Sequence, residues 1–200
     1  TYQGGIVFYL DGNGGGLIAA PSDQNYRNHQ GTKWGNYTGE DISGAYGTEI
    51  GTGNKNTIDN LYAPVKQYAA SLCANLTLGG YSDWFLPSKD ELNEMYLNKS
   101  AIGGFSQYYW SSTQYDQSVY EVVWCQSAWA QDFYDGSQHA SCTLYSRDVR
   151  AIRAFGHTKR MEEDYMGLKR CHKFSGRRIP RDVFIKTFEL GYFIRVDGTS

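Results

Sequence analysis

The stretch that decides the fold runs from Gly80 to Leu92 and reads Gly-Tyr-Ser-Asp-Trp-Phe-Leu-Pro-Ser-Lys-Asp-Glu-Leu. Its middle, Trp84–Pro87, is predicted to be an extended segment anchored by aromatic side chains. Its end is a capping box, in which the Ser88 hydroxyl accepts from the amide of Glu91 and the Glu91 carboxylate reaches back to the amide of Ser88. We therefore expect a helix from Ser88 to about Asn98 that buries Leu92, Met95 and Tyr96.

The residues before this stretch predict another helix. Pro64 suits the first turn of a helix, and apolar side chains then recur with helical spacing until Gly79 and Gly80 end the pattern. The stripe consists of Val65, Tyr68, Ala69, Leu72, Cys73 and Leu76. Nearer the N-terminus, residues 5–10 and 17–20 are predicted to pair as a β-hairpin across a glycine-rich turn.

Two loops of the N-terminal half resemble ligand sites but lack the residues that such sites need. Asp11 and Asn13 begin like a calcium loop, yet no Glu follows at the twelfth position, so a simple turn is the preferred interpretation. Residues 51–57 resemble a phosphate loop without its G-x-x-x-x-G-K-[ST] order. We interpret them as a surface loop at the end of a long irregular region, residues 22–57.

After Gly103 and Gly104 the pattern changes from helical to strand-like. Strands are predicted over residues 108–113, 119–124, 127–133 and 149–155. The order of a hairpin, two helices and then several strands predicts an α+β fold rather than alternating β-α units.

The composition favours a globular domain with many turns. Of the 200 residues, 40% are hydrophobic and 16% aromatic, which is enough to close a core. The net charge of −2 gives no electrostatic case for binding nucleic acid or an anionic membrane. No apolar run approaches the roughly 20 residues that span a bilayer. We expect no nucleic-acid partner and no membrane insertion, and no signal region is visible at Thr1.

The charge balance divides the chain near residue 155. Residues 1–155 hold nine Lys and Arg against fifteen Asp and Glu, whereas residues 156–200 hold ten against six. We interpret residues 1–155 as one ligand-binding domain and residues 156–200 as a basic C-terminal extension, partly ordered or folded as a terminal hairpin. Contact of this extension with nucleic acid or an acidic partner is the alternative to a solvated appendage.

The four cysteines do not predict a zinc site, because none belongs to a C-x-x-C pair. Cys73 lies on the apolar face of a predicted helix and is interpreted as a buried free thiol. For Cys125 and Cys142, a disulfide stays open as the less favoured alternative to free thiols. No metal and no cofactor is predicted, since no two of the histidines form a ligand-spaced pair: His29, His139, His157 and His172.

Four blocks of the chain together resemble a known family. They are residues 4–10 (Gly-Gly-Ile-Val-Phe-Tyr-Leu), 80–92, 109–113 (Tyr-Trp-Ser-Ser-Thr) and 149–155 (Val-Arg-Ala-Ile-Arg-Ala-Phe). In sequence and spacing they resemble the DUF1566 family, which is similar to the C-terminal domain of the Legionella collagen-like protein. The resemblance covers roughly residues 3–155. It implies a C-type-lectin-like fold of the formylglycine-generating-enzyme-like branch, with two helices packed on small antiparallel sheets and many irregular loops.

Residues 108–155 further resemble the variable region of proteins diversified by a retroelement, in which adenines of a template repeat are copied as any base. An AAC codon then becomes NNC, which cannot encode Lys, Glu, Gln, Met or Trp. These residue types therefore indicate fixed positions. Between Tyr115 and Asp148 they are Gln117, Glu121, Trp124, Gln126, Trp129, Gln131 and Gln138. The gaps in this frame and the whole of residues 139–148 are the positions that the resemblance allows to vary; an ordinary Tyr- and Ser-rich loop is the alternative.

The same segment has the composition of a contact surface, since Tyr supplies contact area at low entropic cost and small polar residues form adaptable hydrogen bonds. A rigid core under it is expected from Trp110, Trp129, Phe133, Ile152 and Phe155. The predicted ligand-binding residues are Tyr115, Asp116, Tyr120, Ala130, Asp132, Tyr134, Asp135, Ser137, His139, Ser141, Thr143, Tyr145 and Arg147. For each of them, plain solvated surface is the alternative interpretation.

These residues predict a binding protein of the receptor-binding or adhesin type, displayed on a phage tail or a bacterial cell surface. Its partner would be a protein or glycan ligand on a cell surface. Calcium-independent carbohydrate binding stays open as an alternative, because the triplets of calcium-dependent lectins, Glu-Pro-Asn or Gln-Pro-Asp beside Trp-Asn-Asp, do not occur. An enzyme related to formylglycine generation is the second alternative. It would need a reactive cysteine pair or a metal cluster, and no catalytic residue is predicted.

Overall fold

The computed structural model describes residues 1–24, 31–35, 42, 44–63, 68–116 and 125–156. They all lie in one compact unit, residues 1–157. The strands are β1 (Ile6–Leu10), β2 (Gly16–Ala19), β3 (Thr32–Lys33), β4 (Tyr108–Gln114), β5 (Ser127–Asp132), β6 (Gln138–Cys142), β7 (Ser146–Arg147) and β8 (Ile152–Phe155). The helices are α1 (Gly53–Tyr62), α2 (Tyr68–Ala74), α3 (Lys89–Leu97) and α4 (Lys99–Ile102). This mixture of few helices and small antiparallel sheets is the α+β class that the sequence predicts.

The described strands form three sheets, with orders β1-β2-β8, β3-β7 and β4-β5-β6. The N-terminal hairpin β1–β2 is confirmed. Its turn is held by Asp11 Oδ1, which accepts from the amides of Asn13 at 2.7 Å and Gly15 at 2.9 Å. The carboxylate that opens like a calcium loop therefore serves the turn. Of the later predictions, β8 is shorter than expected, β6 was not predicted, and residues 119–124 and 157–200 lie outside the described residues.

Helix α3 begins at the predicted capping box. The amide of Ser88 donates to Glu91 Oε2 at 2.7 Å, and the amide of Glu91 donates to Ser88 Oγ at 3.3 Å. Leu92 and Met95 are buried as expected, whereas Tyr96 is half-buried. Helix α2 confirms the described part of the predicted apolar stripe, with Ala69 and Cys73 in the core.

Helix α1 corrects the interpretation of residues 51–57 as a surface loop, because Gly53 begins a helix. Its buried side is polar: Asn56, Thr57 and Asn60 are each at most 2% exposed. These side chains bond to backbone groups of neighbouring segments. Asn60 Nδ2, for example, donates to the Ser112 carbonyl at 3.0 Å. A helix that buries asparagine has no apolar stripe, which is why its period was missed.

The Trp84-Phe85-Leu86 segment divides its side chains between two hydrophobic clusters. Trp84 and Leu86 pack with Ile18, Trp110 and Ala151, whereas Phe85 packs with a second set. That second cluster consists of Phe8, Leu17, Ala19, Leu92, Met95, Ile102, Tyr109, Phe133 and Ile152. Adjacent residues enter opposite clusters because side chains alternate along an extended backbone. The segment Trp84-Phe85-Leu86 therefore lies between the two hydrophobic clusters and contributes side chains to both.

Candidate ligand-binding surface

The sheet β4-β5-β6 carries most of the predicted binding residues, and its register decides which way each side chain points. Trp129 lies opposite Ala140, and Ala130 lies opposite His139 in β6 and Trp110 in β4. Residues that face each other across an antiparallel pair share one side of the sheet. The sheet thus has a face bearing Trp110, Ala130 and His139, and an opposite face bearing Trp129.

Two glutamines fix the second of these faces to α3. Gln131 Nε2 donates to Asn93 Oδ1 at 2.9 Å, and Gln138 Nε2 donates to the Lys89 carbonyl at 2.8 Å. Gln131 is fully buried. Both glutamines therefore bond the sheet to α3.

The first face is organised around Arg147, and we call it the arginine face: Tyr108, His139, Ser141 and Arg147. The guanidinium carbon of Arg147 lies 4.5 Å from the ring centre of Tyr108 and 5.6 Å from that of Trp110. Its Nε and Nη2 donate to Ser141 Oγ at 2.9 and 2.7 Å. The rings of Tyr108 and His139 meet edge to face at 5.9 Å.

The charges of this face perturb one another. Burial and the neighbouring Arg147 lower the pKa of His139, so its imidazole is predominantly neutral at pH 7. Burial also lowers the pKa of Arg147, although Tyr108 and Tyr145 oppose that shift. Asp132 Oδ1 accepts from the amide of Tyr134 at 2.7 Å and its Oδ2 accepts from Gln107 Nε2 at 3.0 Å, so this carboxylate holds the turn.

Exposed turns lie at both ends of β6. In the β5–β6 turn, Tyr134 is 85% exposed, and Asp135 Oδ1 accepts from the amide of Ser137 at 2.8 Å. The Ser137 amide and hydroxyl lower the pKa of Asp135. After β6, Tyr145 is 61% exposed. The two turns flank β6, the strand that carries His139 and Ser141 of the arginine face.

The structure places six of the predicted residues at or near the protein surface, exposed or half-buried, on β6, β7 or the turns beside β6: Tyr134, Asp135, Ser137, His139, Tyr145 and Arg147. Four other predicted residues are corrected, because they are buried: Ala130, Asp132, Ser141 and Thr143. Ala130 lies opposite His139 on the same side of the sheet, and Ser141 Oγ accepts from Arg147. Asp132 holds the turn, and the Thr143 carbonyl accepts from the amide of Trp34 at 3.0 Å. A buried side chain offers no contact to a ligand.

Tyr115 lies on the opposite face, which we call the tryptophan face: Lys89, Tyr115 and Trp129. The Tyr115 and Trp129 rings meet at 5.2 Å, and Lys89 Nζ lies 4.5 Å from the ring centre of Trp129. Trp129 and Phe155 were expected in the core but are half-buried. Asp116 is exposed just beyond Tyr115, and Tyr120 lies outside the described residues.

Three surface residues were missed by the sequence reasoning: Tyr108, Leu144 and Trp129. Tyr108 stands two residues before Trp110, so strand alternation places both on the arginine face. Leu144 is 40% exposed between β6 and β7. The alternation of side chains along β4 is the one sequence signal for Tyr108, and it can be used only once the side of the sheet on which Trp110 lies is known.

Cys125 and Cys142 form a disulfide, with 5.7 Å between their Cα atoms. This corrects the preference for free thiols at these positions. Since Cys142 lies opposite Ser127 in the sheet, the bond closes the open end of the β5–β6 hairpin. Cys73 is a buried free thiol, as predicted, and burial raises its pKa far above the ordinary value.

Among the described residues, no group of three or more His, Cys, Asp or Glu side chains is arranged to hold a metal ion. In the same ranges, no helix combines the length and apolar character needed to cross a membrane. No protein-family model matches the sequence, and no curated protein is significantly similar to it.

Proposed function

We propose that this chain is a ligand-binding module of the receptor-binding or adhesin type. The proposal rests on one observation: in the sheet β4-β5-β6 some side chains anchor the backbone while others are exposed. Gln131 and Gln138 are bonded to α3. The turns at the two ends of β6 expose Tyr134, Asp135 and Tyr145. Tyr, Trp and Arg are the residue types that dominate binding energy at protein interfaces. Their concentration on one rigid sheet supports recognition of a macromolecule.

A C-type-lectin-like fold belongs to the same proposal. Supporting it, the four blocks that resemble the DUF1566 family meet in space. Phe85 pairs with Ile152 of β8, and Tyr109 pairs with Asp148 just before the last block. The first block includes β1, which joins β8 through β2. Superposition of a crystal structure on lectin-like domains would test this, and a different strand order would contradict it.

Display on a virion or a bacterial surface is also proposed, and the disulfide supports it. Disulfides persist in oxidising environments and are rare in a reducing cytosol. Diversification of residues 115–148 by a retroelement would require a near-copy of their codons, differing at adenines, beside a reverse-transcriptase gene. Absence of such a repeat would remove the diversification claim and leave the binding claim standing.

The test of binding uses fluorescently labelled full-length protein on a panel of intact bacterial cells. The double variant Tyr134→Ser/Tyr145→Ser should lose binding on the order of tenfold or more, because exposed aromatic anchors dominate affinity. Tyr62→Ser is the matched control, since Tyr62 is 62% exposed and Tyr145 61%. It lies at the end of α1 rather than on the sheet, so binding should be unchanged.

Two further arms separate the ligand classes. Protease digestion of the cells should abolish binding to a protein receptor. Binding to an immobilised glycan array that survives a chelator would instead establish the calcium-independent carbohydrate alternative, which exposed Tyr134 and Tyr145 could serve by stacking on sugar rings. Equal binding of the parent and the double variant throughout would contradict the proposed surface.

A further inference from the structure

Arg147 differs from the other arginines of the described residues in having no carboxylate partner. Arg150 is fully buried, and its Nε donates to Asp23 Oδ1 at 2.6 Å. Arg153 is paired with Asp83. Arg147 is half-buried, yet no Asp or Glu of the described ranges lies within ion-pair distance of it. A partly desolvated cation without a counter-charge is costly unless something else stabilises it.

The hydrogen bonds of Arg147 leave one edge of its guanidinium open. An arginine carries five N–H donors. Two of them, on Nε and Nη2, go to Ser141 Oγ. The other three, two on Nη1 and one on Nη2, have no acceptor among the described residues. That outer edge has the fork geometry with which arginine binds a carboxylate through two parallel hydrogen bonds.

The side chain is also held in place before any ligand arrives. The rings of Tyr108 and Trp110 flank the guanidinium, and Ser141 fixes its inner edge. Its backbone is anchored by the pairing of Arg147 with Thr32 in the β3–β7 sheet. Because little conformational freedom remains to be lost, binding at the outer edge is favoured over binding to a mobile surface arginine.

The carboxylates that act electrostatically on Arg147 and His139 already accept hydrogen bonds within the protein. Asp132 is bonded to the amide of Tyr134 and to Gln107, and Asp135 is bonded to the amide of Ser137. His139 is predominantly neutral and does not compete for an anion. The arginine face therefore presents one fixed positive group, surrounded by aromatic side chains.

We propose that the outer edge of Arg147 binds a carboxylate of the ligand, the side chain of an Asp or Glu on a protein receptor. The inference rests on the proposed binding function and specifies its chemistry. A protein carboxylate is favoured over an acidic sugar because Tyr108, Tyr145 and Arg147 are the residue types enriched at protein hot spots. A cavity of about 530 Å³ lies beside α2, and Arg147 is not among the residues that line it.

The test uses the full chain with an octaglutamate peptide, a matched octaglutamine peptide and N-acetylneuraminic acid as probes. Binding is followed by the NMR signals of the arginine side-chain N–H groups. Octaglutamate should shift the Arg147 signal saturably, while octaglutamine should not. Arg147→Gln should weaken octaglutamate binding on the order of tenfold, and Arg147→Lys should weaken it less, because lysine keeps the charge and loses the fork.

Lys89→Gln is the control for charge alone. It removes the same unit of positive charge from the tryptophan face, where Lys89 contacts Trp129, and should leave octaglutamate affinity unchanged. The proposal is overturned if Lys89→Gln weakens binding as much as Arg147→Gln, or if the Arg147 signal does not move. It is also overturned if only the acidic sugar binds.

The same variants separate this proposal from the function on which it rests. If Arg147→Gln binds cells like the parent while Tyr134→Ser/Tyr145→Ser does not, the carboxylate proposal fails and the binding function stands. If neither variant alters cell binding, both fail. Dispersed amide NMR signals from each variant would show that it is folded, so that a lost signal reports binding.

Discussion

His139 lies beside Arg147, so the pKa of its imidazole depends on that charge. Burial is the larger cause of its lowered pKa and Arg147 the next, while Asp132 and Asp135 oppose the shift. Tyr108 contacts the ring without forming an ion pair. In Arg147→Gln the pKa of His139 should rise, because the neighbouring positive charge that lowers it is removed. An NMR titration of the imidazole Cε1 proton measures this, and an unchanged pKa would show that the two groups are not coupled.

Glu91 provides a second residue-scale prediction, on stability against pH. Burial raises its pKa above the ordinary 4.5, although the amides of Ser88, Gly51 and Gly53 favour the ionised carboxylate. The folded protein therefore holds this proton more tightly than the unfolded chain. The stabilising contribution is present below pH 4.5 and is lost as the pH rises through the folded-state pKa.

The measurement is the free energy of unfolding of the parent and of Glu91→Gln, by urea denaturation at several pH values from about 4 to 7. The difference between the two proteins isolates Glu91 from the other carboxylates. The parent should lose stability relative to Glu91→Gln as the pH rises. A difference that stays constant or grows in favour of the parent would contradict a raised pKa.

Single residues show where sequence reasoning succeeds. The capping box of Ser88 and Glu91 could be predicted because both partners lie within one helical turn. The burial of Thr143 and Asp132 could not, because it depends on Trp34 and Gln107, which are distant in sequence. The local composition of residues 130–143 is that of an exposed loop, and only strand pairing shows which of its side chains face inward.

At the scale of elements, α1 shows a helix stabilised by polar burial. Asn56 Nδ2 donates to the Gly47 carbonyl at 2.6 Å, and its Oδ1 accepts from the Gly47 amide at 3.2 Å. Asn56→Ala should lower the free energy of unfolding by about 1–3 kcal/mol, because buried backbone groups lose their partners. Leu61→Ala in the same helix should change it by about 0.5 kcal/mol or less, since Leu61 is 44% exposed.

Chemical denaturation of both variants measures the difference. The loss of free energy of unfolding should be larger for Asn56→Ala than for Leu61→Ala. A hydrophobicity scale would give the opposite order, because leucine is more hydrophobic than asparagine. A larger loss for Leu61→Ala would contradict the polar packing of α1. The polar burial of α1 also explains why it was missed: the apolar periods of α2 and α3 predicted those helices, whereas the buried side of α1 has no apolar period.

The hairpin β5–β6 depends on the disulfide at its open end. Cys125 and Cys142 are separated by 17 positions in the sequence, and their bond closes a loop of that length. Cross-links of loops near this length stabilise by about 2–4 kcal/mol, chiefly by restricting the unfolded chain. Cys125→Ser/Cys142→Ser should lose about that much free energy of unfolding relative to the oxidised parent.

Reduction gives the control for this prediction. Dithiothreitol should bring the parent to the stability of the double variant and leave the variant unchanged. If the reductant has no effect on the parent, the bond contributes nothing to folding. The strand β6 itself was missed from the sequence because Gln138–Cys142 lacks the β-branched and aromatic residues that are typical of strands. Its hydrogen-bonded pairing with β5 makes it a strand despite this low intrinsic preference.

Across the whole molecule, the two hydrophobic clusters lie on opposite sides of shared strands, so the backbone of the candidate surface is held from within. The alternation of Tyr109 and Trp110 between them fixes β4, and β4 fixes β5. At Gly136 a side chain would collide with the ring of Tyr96. Surface side chains at Tyr134 and Tyr145 thus extend from a frame whose position does not depend on them.

A substitution scan tests this independence. Every replacement of Tyr134 and Tyr145, other than proline, should change the free energy of unfolding by about 0.5 kcal/mol or less, because these side chains are exposed. Replacements of Gln131 and Gln138 should cost about 1–3 kcal/mol, since each leaves a buried or half-buried partner on α3 without its hydrogen bond. The resistance of each variant to protease digestion reports its relative stability, so one experiment measures both sets of replacements. If the exposed set proves as sensitive as the glutamines, side-chain chemistry and fold are coupled throughout the sheet, and a surface free to change its ligand could not exist there.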